Sequence, residues 1–104
     1  MSDIALFSVD QLEPGEIRQA EIEGRDPIAI YDLDSEYFAT DDTCTHGAAS
    51  LSEGEIDGDE VICPFHLGSY NIRSGEAVAA PCVMTVRTYP ERIEDGMLYV
   101  EIDI

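Results

Sequence analysis

Cys44-Thr45-His46 and Cys63-Pro64-Phe65-His66, separated by the sixteen residues 47–62, decide how this chain is read. The two pairs offer two thiolates and two imidazoles, a donor set suited to iron–sulfur or zinc ligation. The chain of 104 residues has two histidines, and both stand in these pairs. No imidazole remains for a second metal site, so the chemistry is expected to be confined to this one set of ligands. Each half supplies one sulfur and one nitrogen from a short segment, and two such loops can close together around a two-metal centre. Zinc fingers space their ligands differently.

On these residues the chain resembles the Rieske family, whose pattern is Cys-x-His, about sixteen residues, then Cys-x-x-His. The resemblance covers nearly the whole chain and is to the small Rieske ferredoxins of bacterial ring-hydroxylating oxygenase systems in particular. It implies one [2Fe–2S] cluster, with Cys44 and Cys63 on one iron and His46 and His66 on the other. Spacing alone does not show which ligand goes to which iron. Replacing two anionic thiolates with neutral imidazoles lowers the negative charge at one iron and eases its reduction. Such centres span roughly −150 to +300 mV, against roughly −400 mV for plant-type clusters. The histidine-bearing iron is expected to take the electron. Imidazole rings at the surface would lose a proton at high pH, giving a potential that falls as pH rises.

The neighbours of the ligands fit the same resemblance. Pro64 removes a backbone donor and stiffens the second loop. Gly47 and Gly68 would let the backbone pass close to the cluster, where amides can donate to sulfide. Pro81, in Ala79-Ala80-Pro81-Cys82, resembles the loop that covers the cluster from a third side. Ordinary turn chemistry would account for these glycines and prolines if the ligand pairs were absent. Tyr70 stands where related ferredoxins often carry Phe, and resembles the tyrosine of respiratory Rieske proteins that donates to a ligand sulfur. Two readings are open: a donor that raises the potential, or a strand residue with its hydroxyl in water. Ser69 is a second candidate donor. The extra cysteines of the respiratory proteins correspond here to Ala49 and Phe65, so that disulfide is absent. Cys82 then reads as a small apolar residue near the proline loop. Three cysteines without a disulfide pair point to a reducing compartment.

Short β-branched and aromatic runs recur at Ile4 to Phe7, Glu16 to Ile22, Pro27 to Leu33, Glu36 to Thr40, Glu60 to Ile62, Ser69 to Ile72, Val83 to Tyr89 and Leu98 to Ile102. Turn signals fall at Asp34-Ser35, Asp57-Gly58, Ser74-Gly75 and Asp95-Gly96. A helical period is lacking, and Leu51 to Gly58 is the one place for a helical turn. The expectation is an all-β, Rieske-type antiparallel β-sandwich or barrel with an inserted cluster-binding subdomain of two ligand loops. One domain would span 1–104, with the subdomain at about 43–81.

Twenty-three acidic residues face five arginines and no lysine, for a formal charge of −18. Nucleic acid and anionic membrane are thereby poor partners. The acidic surface reads equally as a steering field for basic redox partners or as a generally solvated surface. The longest apolar stretch, Ala77 to Met84, is short for a membrane span and broken by Pro81. The N-terminus shows no signal peptide, so a cytoplasmic protein is expected.

A Rieske oxygenase needs a mononuclear iron as well, commonly held by two histidines and a carboxylate. With no histidine to spare, this chain is expected to carry electrons and to transform no substrate. The resemblance implies single electrons taken from a flavin-containing, NADH-dependent ferredoxin reductase and passed to a terminal oxygenase that hydroxylates an aromatic ring. Gly47, Ala48, Ala49, Leu67 and Pro81 would form a small uncharged tip for transient docking. Two alternatives use the same four ligands: a tightly bound small subunit of another oxidoreductase, such as nitrite reductase, and a structural zinc module.

Overall fold

The computed structural model of the chain describes residues 2–34, 36–43, 49–64, 68–79 and 85–102. Among these, eleven strands follow in order: β1 (Ser2–Ser8), β2 (Ile17–Ala20), β3 (Ile28–Leu33), β4 (Glu36–Asp41), β5 (Glu55–Asp57), β6 (Glu60–Ile62), β7 (Ser69–Asn71), β8 (Ala77–Ala79), β9 (Thr88–Tyr89), β10 (Glu91–Glu94) and β11 (Met97–Ile102). They form three antiparallel sheets, ordered β1-β11-β10, β2-β3-β4-β9 and β5-β6-β7-β8. The third sheet is built entirely from chain that leaves the second at β4 and returns to it at β9. The all-β expectation holds, and Cys63 directly follows β6 of the inserted sheet.

Strand β3 is the hinge of this arrangement, because Ile28-Ala-Ile-Tyr-Asp-Leu33 is buried at every position. Alternate side chains leave a strand on opposite faces. Ile28 and Ile30 therefore enter one core with Leu98, Val100 and Ile102 of β11. Ala29, Tyr31 and Leu33 enter another with Val61 and Tyr70 of the inserted sheet and Ile72 just after it. A strand covered on both faces reads as a nearly continuous apolar run, which is why β3 is the plainest strand in the sequence. β11 shows the complementary pattern, with Leu98, Val100 and Ile102 inward and the alternate positions half-buried.

The turns follow local chemistry. Asp95 and Gly96, at φ 53° and 77°, lie between the paired residues Glu94 and Met97. Two successive positive φ values make the type I′ turn that suits the twist of a hairpin. Gly75 has φ 80°, and a Cβ there would lie 2.2 Å from the Val86 carbonyl oxygen. That contact explains one departure from the sequence reading. The strand expected over Val83 to Tyr89 is confined, among the described residues, to Thr88–Tyr89. Val86 instead donates its N–H to the Gly75 carbonyl at 2.8 Å and buries its side chain in the second core. Strands β5, β8 and β10 carried no β-rich run; Glu55-Ile-Asp57 forms one because its backbone pairs with β6, a tertiary demand that overrides weak propensity. The helical turn allowed within Leu51 to Gly58 is a single 3-10 turn at Leu51–Glu53. Among the described residues no helix is long and apolar enough to cross a membrane.

Every arginine of the chain lies over an aromatic ring: Arg18 on Phe7, Arg25 and Arg87 on Tyr89, Arg73 on Phe38 and Arg92 on Tyr99, at 4.5 to 5.2 Å from the ring centres. Three of them also pair with carboxylates, Arg25 with Asp41, Arg73 with Glu36 and Asp59, and Arg92 with Asp3 and Glu94. The few cations thus tie strands together and leave the large acidic excess in place.

Burial raises the Glu91 carboxyl above its ordinary 4.5, partly offset by a backbone hydrogen bond. An acid so shifted holds its proton more firmly in the folded chain, so its contribution is complete below the unfolded value and is lost as pH rises through the folded one. Glu91→Gln is therefore expected to raise the melting temperature near pH 7 and to leave it unchanged below about pH 4. The exposed Glu23→Gln serves as the control for lost net charge. An equal gain from both substitutions would refute a specific cost at Glu91.

Candidate metal centre

Cys63, the first residue of Cys-Pro-Phe-His, directly follows β6 of the β6–β7 pair. The ladder of these strands pairs Glu60 with Asn71, Val61 with Tyr70 and Ile62 with Ser69. One step further, the Cys63 N–H donates to the Gly68 carbonyl at 2.7 Å and closes the base of the loop. The Cys63 side chain is wholly buried, while Pro64 beside it is exposed. The first loop is closed in the same manner, by a bridge between Thr43 and Ser50 and by the Leu51 N–H donating to the Asp42 carbonyl at 2.7 Å. Cys44, His46, Gly47, His66 and Pro81 lie outside the described residues, as do Ala48, Phe65, Leu67 and Cys82.

What the structure does bring together is the two loop bases. Ala49 and Leu51, leaving the first loop, pack in one cluster with Cys63, Val61 and Tyr70 at the second and with Tyr31 of β3. Gly54 makes the approach possible, since a Cβ on it would fall 2.1 Å from the Ile62 carbonyl oxygen and 3.2 Å from that of Leu51. Gly54→Ala is accordingly expected to push the segment after the first loop away from β6, at a cost of about 1–3 kcal/mol. Thermal unfolding checks the cost. An unchanged melting temperature would show that the backbone yields freely at this point.

Tyr70 is entirely buried, which removes the reading in which its hydroxyl lies in water. It faces the core from β7 beside Cys63, and no buried side-chain nitrogen or oxygen among the described residues lacks a hydrogen-bond partner. Ser69, the other candidate donor, gives its single proton to Glu60 Oε1 at 2.9 Å, so that hydroxyl is spent away from the loop. Tyr31 lies 2.8 Å from Thr40 Oγ1. Burial raises its pKa strongly, with further contributions from Asp42 and Tyr70, so it stays protonated. The wall behind Cys63 is therefore apolar apart from neutral, hydrogen-bonded hydroxyls. In front, Glu53, Gly54 and Glu55 line a hollow of about 260 Å3 with Ile62, Cys63 and Pro64, placing part of the acidic run directly beside the second loop.

Sequence reasoning missed two residues here. Gly54 lies in Ser52-Glu53-Gly54-Glu55 and carried the one available signal, a glycine beside a strand where another backbone approaches closely. Asp42 was hidden among the many acids, and its burial at 1% exposure is a tertiary property.

The described part of the site fits a thiolate-bound metal group: a buried cysteine at the base of a closed loop, packed against the exit of a second loop. Residues 2–90 match the Rieske [2Fe-2S] domain. The ferredoxin component of the p-cumate 2,3-dioxygenase system of Pseudomonas putida is 42% identical over 95% of this chain and 85% of its own length. The solved Sphingomonas yanoikuyae B1 ferredoxin superposes with a TM-score of 0.93 at 39% identity, covering 98% of this chain and all of that one. A chain in the complex of reduced oxygenase and oxidized ferredoxin of carbazole 1,9a-dioxygenase matches with a TM-score of 0.91 at 38% identity, over 94% of this chain and 91% of that one. Motif, inserted sheet and whole-length likeness converge, and the chain belongs to the Rieske [2Fe-2S] family.

Proposed function

We propose that this protein is a ferredoxin that carries single electrons from an NADH-dependent flavin reductase to a terminal oxygenase hydroxylating aromatic rings, and that it converts no substrate itself. The observation that carries the reading is the convergence of the two loop bases on the cluster of Ala49, Leu51, Cys63 and Tyr70. It packs Ala49 and Leu51, which follow Cys44 and His46 in sequence, in one cluster with Cys63. Cys44, His46, Cys63 and His66 would hold the metal group, with 43–81 as the cluster-binding unit. When bound, a [2Fe–2S] group with such ligands supplies a one-electron couple at roughly −150 to +300 mV.

The chain's own residues then do three things. The closed hairpin bases hold the ligand loops in fixed register, and the apolar wall of Val61, Leu51 and Tyr70 excludes water and keeps the thiol side of the site at low dielectric. The Tyr70 hydroxyl, buried beside Cys63, donates to a ligand sulfur and so favours the reduced state. Glu53 and Glu55, beside Pro64 and Cys63, meet basic side chains of the partner proteins. Association should weaken as salt rises, because such steering is screened over about 8–10 Å at ordinary ionic strength. The charge and the lack of a long apolar helix among the described residues suit a cytoplasmic carrier that binds neither nucleic acid nor membrane.

Optical and paramagnetic resonance spectra before and after dithionite test the reading. A red-brown protein that bleaches and gives the low-average-g signal of mixed nitrogen and sulfur ligation supports it. A colourless, silent protein holding zinc after anaerobic purification would sink it.

A further inference from the structure

The acid just ahead of the first ligand pair is buried and fully engaged. Asp42 is 1% exposed, and a charge so placed is tolerated only when its oxygens are met by donors. Oδ1 accepts the Ser52 N–H at 2.8 Å, and Oδ2 accepts the Gln19 side-chain amide at 2.8 Å. The Asp42 carbonyl accepts the Leu51 N–H at 2.7 Å, and its own N–H donates to the Pro27 carbonyl at 3.2 Å. One residue thus joins β2, the segment before β3 and both ends of the first loop.

The chemistry of the 3-10 turn makes this specific. The first amides of such a turn need acceptors from outside it, and Ser50 at its N-cap gives no side-chain bond. Asp42 supplies both acceptors from across the loop, one from its backbone and one from its carboxylate. The loop carrying Cys44 and His46 is thereby closed by three successive links: Asp42 to Ser52, Asp42 to Leu51, and the bridge of Thr43 to Ser50. The first depends on the side chain alone, so it is the link that a substitution can cut.

We propose that Asp42 is a positioning residue for the metal centre, clamping the two ends of the first ligand loop through its carboxylate and adding a fixed buried negative charge at its base. The inference rests on the electron-carrier reading, in which Cys44 and His46 are ligands. Two substitutions separate its parts. Asp42→Ala leaves the Ser52 and Gln19 donors without their acceptor. Asp42→Asn keeps an oxygen for Ser52, while the Gln19 amide can turn its own oxygen towards the new NH2 group. Asparagine therefore retains the clamp and deletes the charge.

The test uses purified holoprotein and reads three quantities: the rate of bleaching by an iron chelator, the resonance line shape of the reduced protein, and the midpoint potential. Loss of a group that orients a ligand loop commonly costs roughly 10- to 100-fold in metal retention. Asp42→Ala is expected to bleach faster by that order with shifted g values. Asp42→Asn is expected to bleach within about twofold of the native rate, with an unchanged line shape and a raised potential. Native bleaching, line shape and potential in Asp42→Ala would overturn the proposal, as would an Asp42→Asn protein that bleaches as fast as the alanine variant with an unmoved potential. If Asp42→Ala does not fold, Ser52→Pro replaces it, removing the N–H that the carboxylate accepts while leaving the acid. Faster bleaching then supports the clamp, and unaltered bleaching and potential refute it. A native protein lacking the Rieske spectrum would refute the electron-carrier reading instead, whatever the variants do.

Discussion

Cys63→Ala is expected to yield a colourless protein, with neither the visible absorption nor the reduced-state resonance signal of the native one. Cys63 is the one proposed ligand that the structure describes, and it stands at a closed loop base with its side chain fully withdrawn from water. A thiolate contributes charge and covalency that no neighbour can replace, and the adjacent Pro64 and Gly68 offer no donor side chain. The stability loss should then be read in two parts. Against metal-free native protein the substitution is a small truncation in the sheet, of the order of 1 kcal/mol. Against the loaded protein it also forfeits the binding free energy that couples the two loops, because a site assembled by folding returns its affinity as stability. A chain of this size buries a limited share of its surface, so the second part is expected to dominate. Melting curves of both proteins, with and without metal, measure the two parts separately. A Cys63→Ala protein retaining the native iron content and spectrum would show that this cysteine is not a ligand.

The site and the fold were legible to different degrees, for physical reasons. The Cys-x-His and Cys-x-x-His pairs stand out by their short, chemically specific spacing, and β3 and β11 by runs whose burial demands apolar residues on both faces or on one. Strand β5 was not legible, because Glu-Ile-Asp joins a sheet only through its pairing with β6. Nor was the middle of the Val83 to Tyr89 run, where the approach of Gly75 takes Val86 out of any strand. Asp42 shows the limit most clearly. Its neighbours in sequence, Asp41 and Thr43, are unremarkable, and the partners that give it meaning, Gln19 and Ser52, lie far from it along the chain. Tyr70 was readable as a question only: its place after Cys63-Pro-Phe-His66 suggested a donor, and burial, which takes the hydroxyl out of water, belongs to the folded state.

Tyr70 is also where packing and redox chemistry can be pulled apart. Its ring fills the space between β3 and the inserted sheet, against Tyr31, Val61 and Cys63. Tyr70→Ala would open a cavity in the layer that supports both loops. Truncating a buried aromatic costs about 3–5 kcal/mol, a large part of the roughly 5–15 kcal/mol that holds a domain folded. For a chain of about this length that corresponds to a melting temperature lower by roughly 12 °C or more, and the metal group should be lost with it. Tyr70→Phe keeps the ring and removes one buried hydroxyl, at about 1 kcal/mol, so the protein should remain folded and coloured. With the donor gone, the extra electron of the reduced state loses a hydrogen bond, and the midpoint potential should fall. The sign is what matters: a hydroxyl bonded only to protein groups remote from the sulfur would leave the potential where it was. A folded Tyr70→Phe protein with native potential would therefore assign Tyr70 to the architecture of the core alone.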